Sequence, residues 1–318
     1  GFGLAGAEKG QTAEQGQLLG AAGNRSIVEK GFHAREARIP SNFVPYVILQ
    51  GPYPGKHGMP TTQVSPPPSR PVTLITGASD GIGAALAHRL AGRHALVLVA
   101  RRADKLQAVA NAIREAHDTP VVTVVADVTV RSQIDDAVDT ALAEFSRLDV
   151  LVNNVGRGIT RLPSALTDED LDDMMRVNVK SALYGMQAVL PHFRLVGRGH
   201  VVNISSMLGR IPSVVPRAAY SAAKHFLDSL TINFRDEVQA EHPGIQFSLV
   251  SPGVVHTEFG NNALHGGVDS RQLPMAQTAD EVAAVIAQVI EDRRPDVYSR
   301  TGMAARVREY YAGLGQDP

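Results

Sequence analysis

The chain has 318 residues, 44% of them hydrophobic and 20% charged, with a net charge of −1 and no cysteine. Near-neutral charge leaves no electrostatic pull toward nucleic acid or an acidic membrane surface. The lack of cysteine removes disulfides, thiol nucleophiles and Cys-type zinc sites, and suits a cytoplasmic enzyme. The histidines show no two-His-plus-acid spacing, so no metal is expected. No stretch approaches the ~18 apolar residues of a membrane span, and Gly1 to Gly20 has neither the basic start nor the apolar core of a secretory signal.

Residues 1–70 hold 8 of the 19 prolines and 11 of the 29 glycines with no sustained period, which predicts a disordered N-terminal tail. Phe43 to Leu49 is apolar but interrupted by Pro45, and Ser65-Pro66-Pro67-Pro68 reads as a stiff linker. The start at Gly1 rather than Met fits a processed product, a fragment or a translated upstream region. From Val72 onward short β-branched runs alternate with amphipathic stretches. Strands are expected at about 72–76, 95–100, 121–126, 149–152, 200–205, 245–250 and 296–299, and helices at about 81–92, 103–117, 131–147, 167–196, 218–241 and 279–292. This order predicts an α/β domain over 71–300, a doubly wound parallel seven-stranded sheet, with a helical extension over 301–318. In such a sheet ligands sit beyond the carboxyl ends of the strands.

The first strand runs into Thr76-Gly77-Ala78-Ser79-Asp80-Gly81-Ile82-Gly83. Gly77 permits a sharp turn, Gly81 lets a pyrophosphate approach bare backbone, and Gly83 lets the helix lie close on the sheet. The free N–H groups at the start of that helix face an anion. The spacing Gly-x-x-x-Gly-x-Gly after a Thr resembles the short-chain dehydrogenase/reductase family. That resemblance implies a single Rossmann-type NAD(P)-binding catalytic domain, with cofactor contacts at Gly77, Ser79, Asp80, Gly81, Ile82 and Gly83.

After the second strand stands Arg101-Arg102, where NAD-selective folds carry a carboxylate for the ribose. A guanidinium pairs with a 2′-phosphate, so the resemblance points to NADP through Arg101, against the plainer reading of solvated arginines. Asp80 in the glycine turn, where many NADP-using relatives have a basic residue, keeps NAD open. Asp127-Val128 matches the family's adenine-binding pair, although Asp127 or Thr129 could equally cap the next helix. Asn153-Asn154-Val155-Gly156 resembles the family's Asn-Asn-Ala-Gly; Asn154 ties strand ends together and Gly156 leaves room for the ribose. Asn178, in a predicted helix interior of poor propensity for it, matches the position of the family's structural and catalytic asparagine.

The fifth strand ends at Ser205-Ser206, and Tyr220-Ser221-Ala222-Ala223-Lys224 opens the following helix. Residues four apart share a helical face, so the lysine ammonium can lie beneath the phenol and favour phenolate. By resemblance, Tyr220 is the general acid/base, Ser206 bonds the developing oxyanion, Lys224 holds the ribose and lowers the tyrosine pKa, and Asn178 supports a proton relay. Gly209 selects Ser206 over Ser205 as the family's serine. Pro252, Gly253 and Thr257 match the family's segment beside the nicotinamide. The irregular stretch 258–277 offers Phe259, Leu264, Leu273 and Met275 to cover an apolar substrate. These readings imply an NADP-preferring oxidoreductase acting on a small carbonyl or alcohol compound. A cofactor-sensing binding protein of the same fold and an enzyme using the site for dehydration or epimerisation are the alternatives. Relatives pair through the long helices into homodimers or homotetramers, but helix length alone does not show association.

Overall fold

The computed structural model describes residues 69–315; apart from Ser69 and Arg70, the predicted tail lies outside the described residues. Seven parallel strands, β1 (Val72–Thr76), β2 (Ala95–Ala100), β3 (Val121–Val125), β4 (Val150–Asn153), β5 (Gly199–Ile204), β6 (Ile245–Ser251) and β7 (Asp296–Tyr298), form one sheet in the order β3-β2-β1-β4-β5-β6-β7. Strand order reverses between β1 and β4, where Leu74 pairs with Val97 on one side and Leu151 on the other. That reversal opens the crevice in which such sheets bind ligands.

Helices cover both faces, so β1, β2, β4, β5 and β6 are buried throughout; β1, β2 and β4 read as near-continuous apolar runs, while β5 and β6 also bury polar side chains such as His200, Asn203 and Ser248. Alternate side chains serve alternate faces. Ile75, Leu98, Val152, Val202 and Val250 pack toward α1 (Gly81–Leu90), α2 (Ala103–Ala116) and α7 (Ala279–Asp292). Leu74, Val97, Leu151, Val201 and Phe247 pack toward α3 (Arg131–Phe145), α5 (Ser181–Val196) and α6 (Ala218–Gln239). Each fully buried side chain of this size contributes about 1.5–3 kcal/mol. A third, smaller cluster gathers Ile159, Met174, Val179, Ala219, Tyr220 and Ala223 with Phe259 and Leu264 beyond the strand ends.

The helix predicted over 167–196 is divided. Thr167 starts α4 (Asp168–Met175) with a capping box to Asp170, a π-helical turn occupies Arg176–Lys180, and α5 follows. At the turn the Ser181 amide bonds the Arg176 carbonyl, five residues back. The Asn178 amide group takes the Met174 carbonyl at 3.1 Å and the Arg157 carbonyl at 3.0 Å, so tertiary bonding accompanies the widened register. Elsewhere the predicted boundaries shift by a residue or two. Thus α3 ends before Ser146, whose φ of +55° stops it. Beyond β7 lies α8 (Met303–Ala312). Among the described residues no helix is long and apolar enough to cross a membrane.

Candidate active site

At the β1–α1 turn, Gly77 and Gly81 have φ of +67° and +53°, values that favour glycine. A Cβ on Gly83 would collide with the Gly77 carbonyl, which is why α1 can lie so close to the strand end. The Asp80 carboxylate accepts from the Gly81 amide at 2.7 Å, while the amides of Ile82 and Gly83 have no acceptor among the described residues. This cradle fits the phosphates of a dinucleotide. Asn154 fastens it to the next strand: its side-chain amide donates to the Thr76 carbonyl at 3.1 Å, and its backbone amide to the Thr76 hydroxyl at 3.0 Å. Deeper in, Asn153 donates to Asn203 at 2.9 Å, and Asn203 to the Thr231 hydroxyl at 2.8 Å. Thr257 leans on the turn, its methyl 3.0 Å from where a Gly81 Cβ would stand. Pro252 accepts the Met207 amide at 2.8 Å, and Gly253 is exposed beside it.

The cations after β2 do not act alone. Arg101 lies 3.7 Å from Asp127, whereas Arg102 and Lys105 reach the Asp80 carboxylate at 3.2 and 3.4 Å, and Arg102 also reaches the Ser79 hydroxyl. Asp127 accepts from both the amide and hydroxyl of Thr129, an Asx-type turn rather than a helix cap; Val130 occupies the cap position of α3 with no side-chain bond. Burial works to raise the pKa of Asp127, but these bonds and the Arg101 and Arg176 charges hold it below the usual carboxylate range. Val128 is buried beside it in the α3-side core.

On the other side of the crevice Tyr220 and Lys224 stand one turn apart on α6, both buried. Ser206 interacts with the Tyr220 hydroxyl and pulls the phenol's pKa down. Ser206, just past β5, accepts from the Leu208 amide at 3.1 Å. The Lys224 ammonium donates to the Ile204 carbonyl at 2.8 Å and lies 5.8 Å from the Tyr220 ring centre. Gly156 faces it: a Cβ there would stand 3.4 Å from Nζ and 3.1 Å from the Asn178 carbonyl oxygen. Asn178 also accepts the Arg157 amide at 3.0 Å, so the π-helical turn, the β4 loop and α6 converge on one point.

The expectation of a phenol made acidic by Lys224 meets an opposing effect. Burial pushes the Tyr220 phenol up to about 12, despite Ser206 and the Arg217 charge, which pull it down. Burial likewise brings the Lys224 ammonium down to about 8, against the pull of Asp228. Asp228, one turn further along α6, is itself pushed up to about 7 by burial, offset by Arg210 at 2.9 Å, Ser205 and Lys224. Arg102, Lys105, Asp228, Arg210 and Arg217 were not singled out as site residues by the sequence; the repeat of four from Tyr220 to Lys224 to Asp228 was the available signal. In the irregular stretch after β6, Phe259 meets the Tyr220 ring edge-on at 5.5 Å and Leu264 bridges to Ile159, while Leu273 and Met275 are exposed.

Comparison with known proteins places this geometry. A family model for short chain dehydrogenases matches residues 71–266. An uncharacterised oxidoreductase of Staphylococcus epidermidis is 33% identical over 218 residues, spanning 68% of this chain and 91% of that one. A dehydrogenase/reductase SDR family protein 7-like of Drosophila melanogaster is 35% identical over 71% of each chain. Among solved structures, a short-chain dehydrogenase from Sphingobium yanoikuyae in complex with NADPH superposes with a TM-score of 0.65, at 30% identity over 78% of this chain and 97% of that one. One from Burkholderia phymatum in complex with NAD gives 0.70 at 25% identity, with the same coverage. The chain belongs to the short-chain dehydrogenase/reductase family. With that family it is an NAD(P)-dependent oxidoreductase, using a nicotinamide cofactor on a small-molecule substrate.

Proposed function

We propose that this protein is an NADP-preferring carbonyl reductase in which Tyr220 is the general acid/base. The observation that carries the reading is the stacking of Tyr220 and Lys224 one turn apart on α6, with the Lys224 ammonium 5.8 Å from the Tyr220 ring and anchored on the Ile204 carbonyl at the end of β5, two residues before Ser206. A bound nicotinamide supplies the hydride. Tyr220 gives its hydroxyl proton to the oxygen that becomes the alcohol, Ser206 bonds that same oxygen, and Lys224 would hold the ribose hydroxyls of the cofactor. A phenol held protonated at neutral pH is a donor, which favours reduction over oxidation. Asn178 fixes the backbone around Gly156 and Lys224 and supports the proton path.

Preference for NADP draws on three cations, Arg101, Arg102 and Lys105, set against two carboxylates, Asp80 and Asp127. Asp80 would by itself oppose a phosphate, but Arg102 and Lys105 offset its charge, and the balance around the site is positive. A panel of aldehydes and ketones assayed by nicotinamide absorbance with NADPH and NADH tests the reading. NADPH oxidation that disappears in Tyr220→Phe is expected; turnover unchanged by that substitution, or no oxidation across the panel, overturns it.

A further inference from the structure

Arg217 caps α6 three residues before Tyr220, and no sequence motif accounts for it. Its Nη1 is buried with no hydrogen-bond partner. Three other arginines on this side of the crevice have carboxylate partners. Arg157 meets Asp173 at 3.4 Å, Arg161 meets Asp170 at 3.3 Å, and Arg210 meets Asp228 and Asp296 at 2.9 Å each. Arg217 has no carboxylate in ion-pair range among the described residues. Burial holds its pKa below the usual arginine value, with the Tyr220 phenol opposing that effect.

Glycines let the guanidinium lie against bare backbone there. A Cβ on Gly158 would collide with Nη1 and stand 3.0 Å from the Phe259 ring, which itself packs against Tyr220. A Cβ on Gly267 would stand 3.0 Å from Nη2. The walls nearby are apolar: Ile159, Phe259 and Leu264. Arg217 is half-buried, but a buried Nη1 without a partner is costly unless an anion completes it, and the planar guanidinium fork matches a carboxylate bidentately. We propose that Arg217 receives the carboxylate of an oxo-acid substrate, holding an apolar body against Phe259 and Leu264 with its carbonyl at Tyr220. This rests on the carbonyl-reductase reading of the same site and adds the substrate class.

The test is calorimetric titration of the full chain, loaded with NADP, with benzoate and its neutral isostere benzamide. Wild type binds benzoate at least about tenfold more tightly than benzamide, the scale of losing one charged partner. Arg217→Gln abolishes that preference, Arg217→Lys retains part of it, and NADP affinity is the same in all three. No saturable benzoate binding, equal binding of the two probes by wild type, or unchanged benzoate affinity in Arg217→Gln overturns the proposal. So does a parallel loss of NADP affinity, which would give the guanidinium to the cofactor. The wild-type pair of probes needs no variant to fold, and no readout needs turnover. Arg217-dependent benzoate binding in a protein that reduces no carbonyl would sink the reductase reading alone. Reduction of neutral ketones without benzoate preference would sink only the role of Arg217.

Discussion

Beyond β2 and β3, the cations and carboxylates sit on open loops: the Arg101 side chain is 75% exposed and its partner Asp127 30%. Beyond β5 and along α6, Lys224 and Asp228 are only 3% and 4% exposed, with Arg210 closed over Asp228. Charge is present at both ends of the crevice, but solvent decides what it does. Exposed pairs of this kind are worth about 0–1 kcal/mol and can exchange partners when a ligand arrives. Enclosed groups instead have their ionisation reset, with Tyr220 near 12, Lys224 near 8 and Asp228 near 7. At one end solvent screens the charges, at the other burial resets which atoms hold protons.

The sharpest way to break this contrast is Tyr220→Phe. Removing the phenolic hydroxyl at the enclosed end is expected to lower kcat by about 10²–10⁴. Cofactor affinity, which the proposed reading assigns to the open end and Lys224, is expected to stay close to wild type in a fluorescence titration. A variant that loses nucleotide binding as well would mean that the two ends do not work separately.

The two ends also differed in how far the sequence exposed them. The glycine turn and the Tyr220–Lys224 pair are fixed by spacing along one strand-to-helix turn or one helical face, so their positions follow from local geometry. The π-helical turn at Asn178 does not, because its widened register goes with side-chain bonds to Arg157, twenty-one residues away. Partner choice among cations was equally hidden. Arg102 and Lys105, rather than Arg101, turn to Asp80 because the first turn of α2 faces the β1–α1 loop. Ionisation was the least accessible: a lysine beside a tyrosine lowers its pKa on paper, but the burial that raises the Tyr220 phenol is a property of the packed sheet. Arg217 gained meaning only when Gly158 and Gly267 came together around it.

Next in size is acid stability, which burial governs. His200 on β5 is 1% exposed, bonds the Ser248 hydroxyl at 2.8 Å, and burial pushes its pKa down to about 3. The folded state therefore binds fewer protons than the unfolded one between its ordinary value of 6.5 and about 3. Its stabilising contribution is complete above 6.5 and is lost as the pH falls, by about 1.4 kcal/mol per unit. Urea unfolding at a series of pH values below 6.5 is expected to show a flatter decline for His200→Gln than for wild type. Parallel curves would show that burial at this point does not control protonation.

At the open end, Arg101→Ala is expected to weaken NADPH by about tenfold, the scale of one charge-assisted hydrogen bond, with little effect on NADH. High salt narrows the difference, since exposed charges are screened. Equal losses for both cofactors would remove Arg101 from phosphate selection. If Arg102→Ala alone reproduced the effect, the ligand would have drawn Arg102 away from Asp80.

The smallest effect is the most discriminating for the enclosed end. Asp228 touches no reacting atom; it faces Lys224, Arg210, Ser205 and Asp296, and its charge raises the Lys224 pKa against burial. Asp228→Asn removes that support, so the ammonium loses its proton at a lower pH. The alkaline limb of the kcat/KM profile, where the protonated lysine is lost, is expected to move down by less than about one unit. Rate at the optimum changes little. Because burial raises the folded pKa of Asp228 above its unfolded value, wild type loses stability from this group as pH rises from 3.8 toward about 7. The variant is relieved of that loss, so its stability relative to wild type improves with pH across the same window, while Asp228→Ala, which also leaves a void beside Arg210, gains less. An alkaline limb that stayed in place or moved upward would mean that Lys224 takes its charge from elsewhere, and that enclosure rather than a neighbouring carboxylate sets the proton on it.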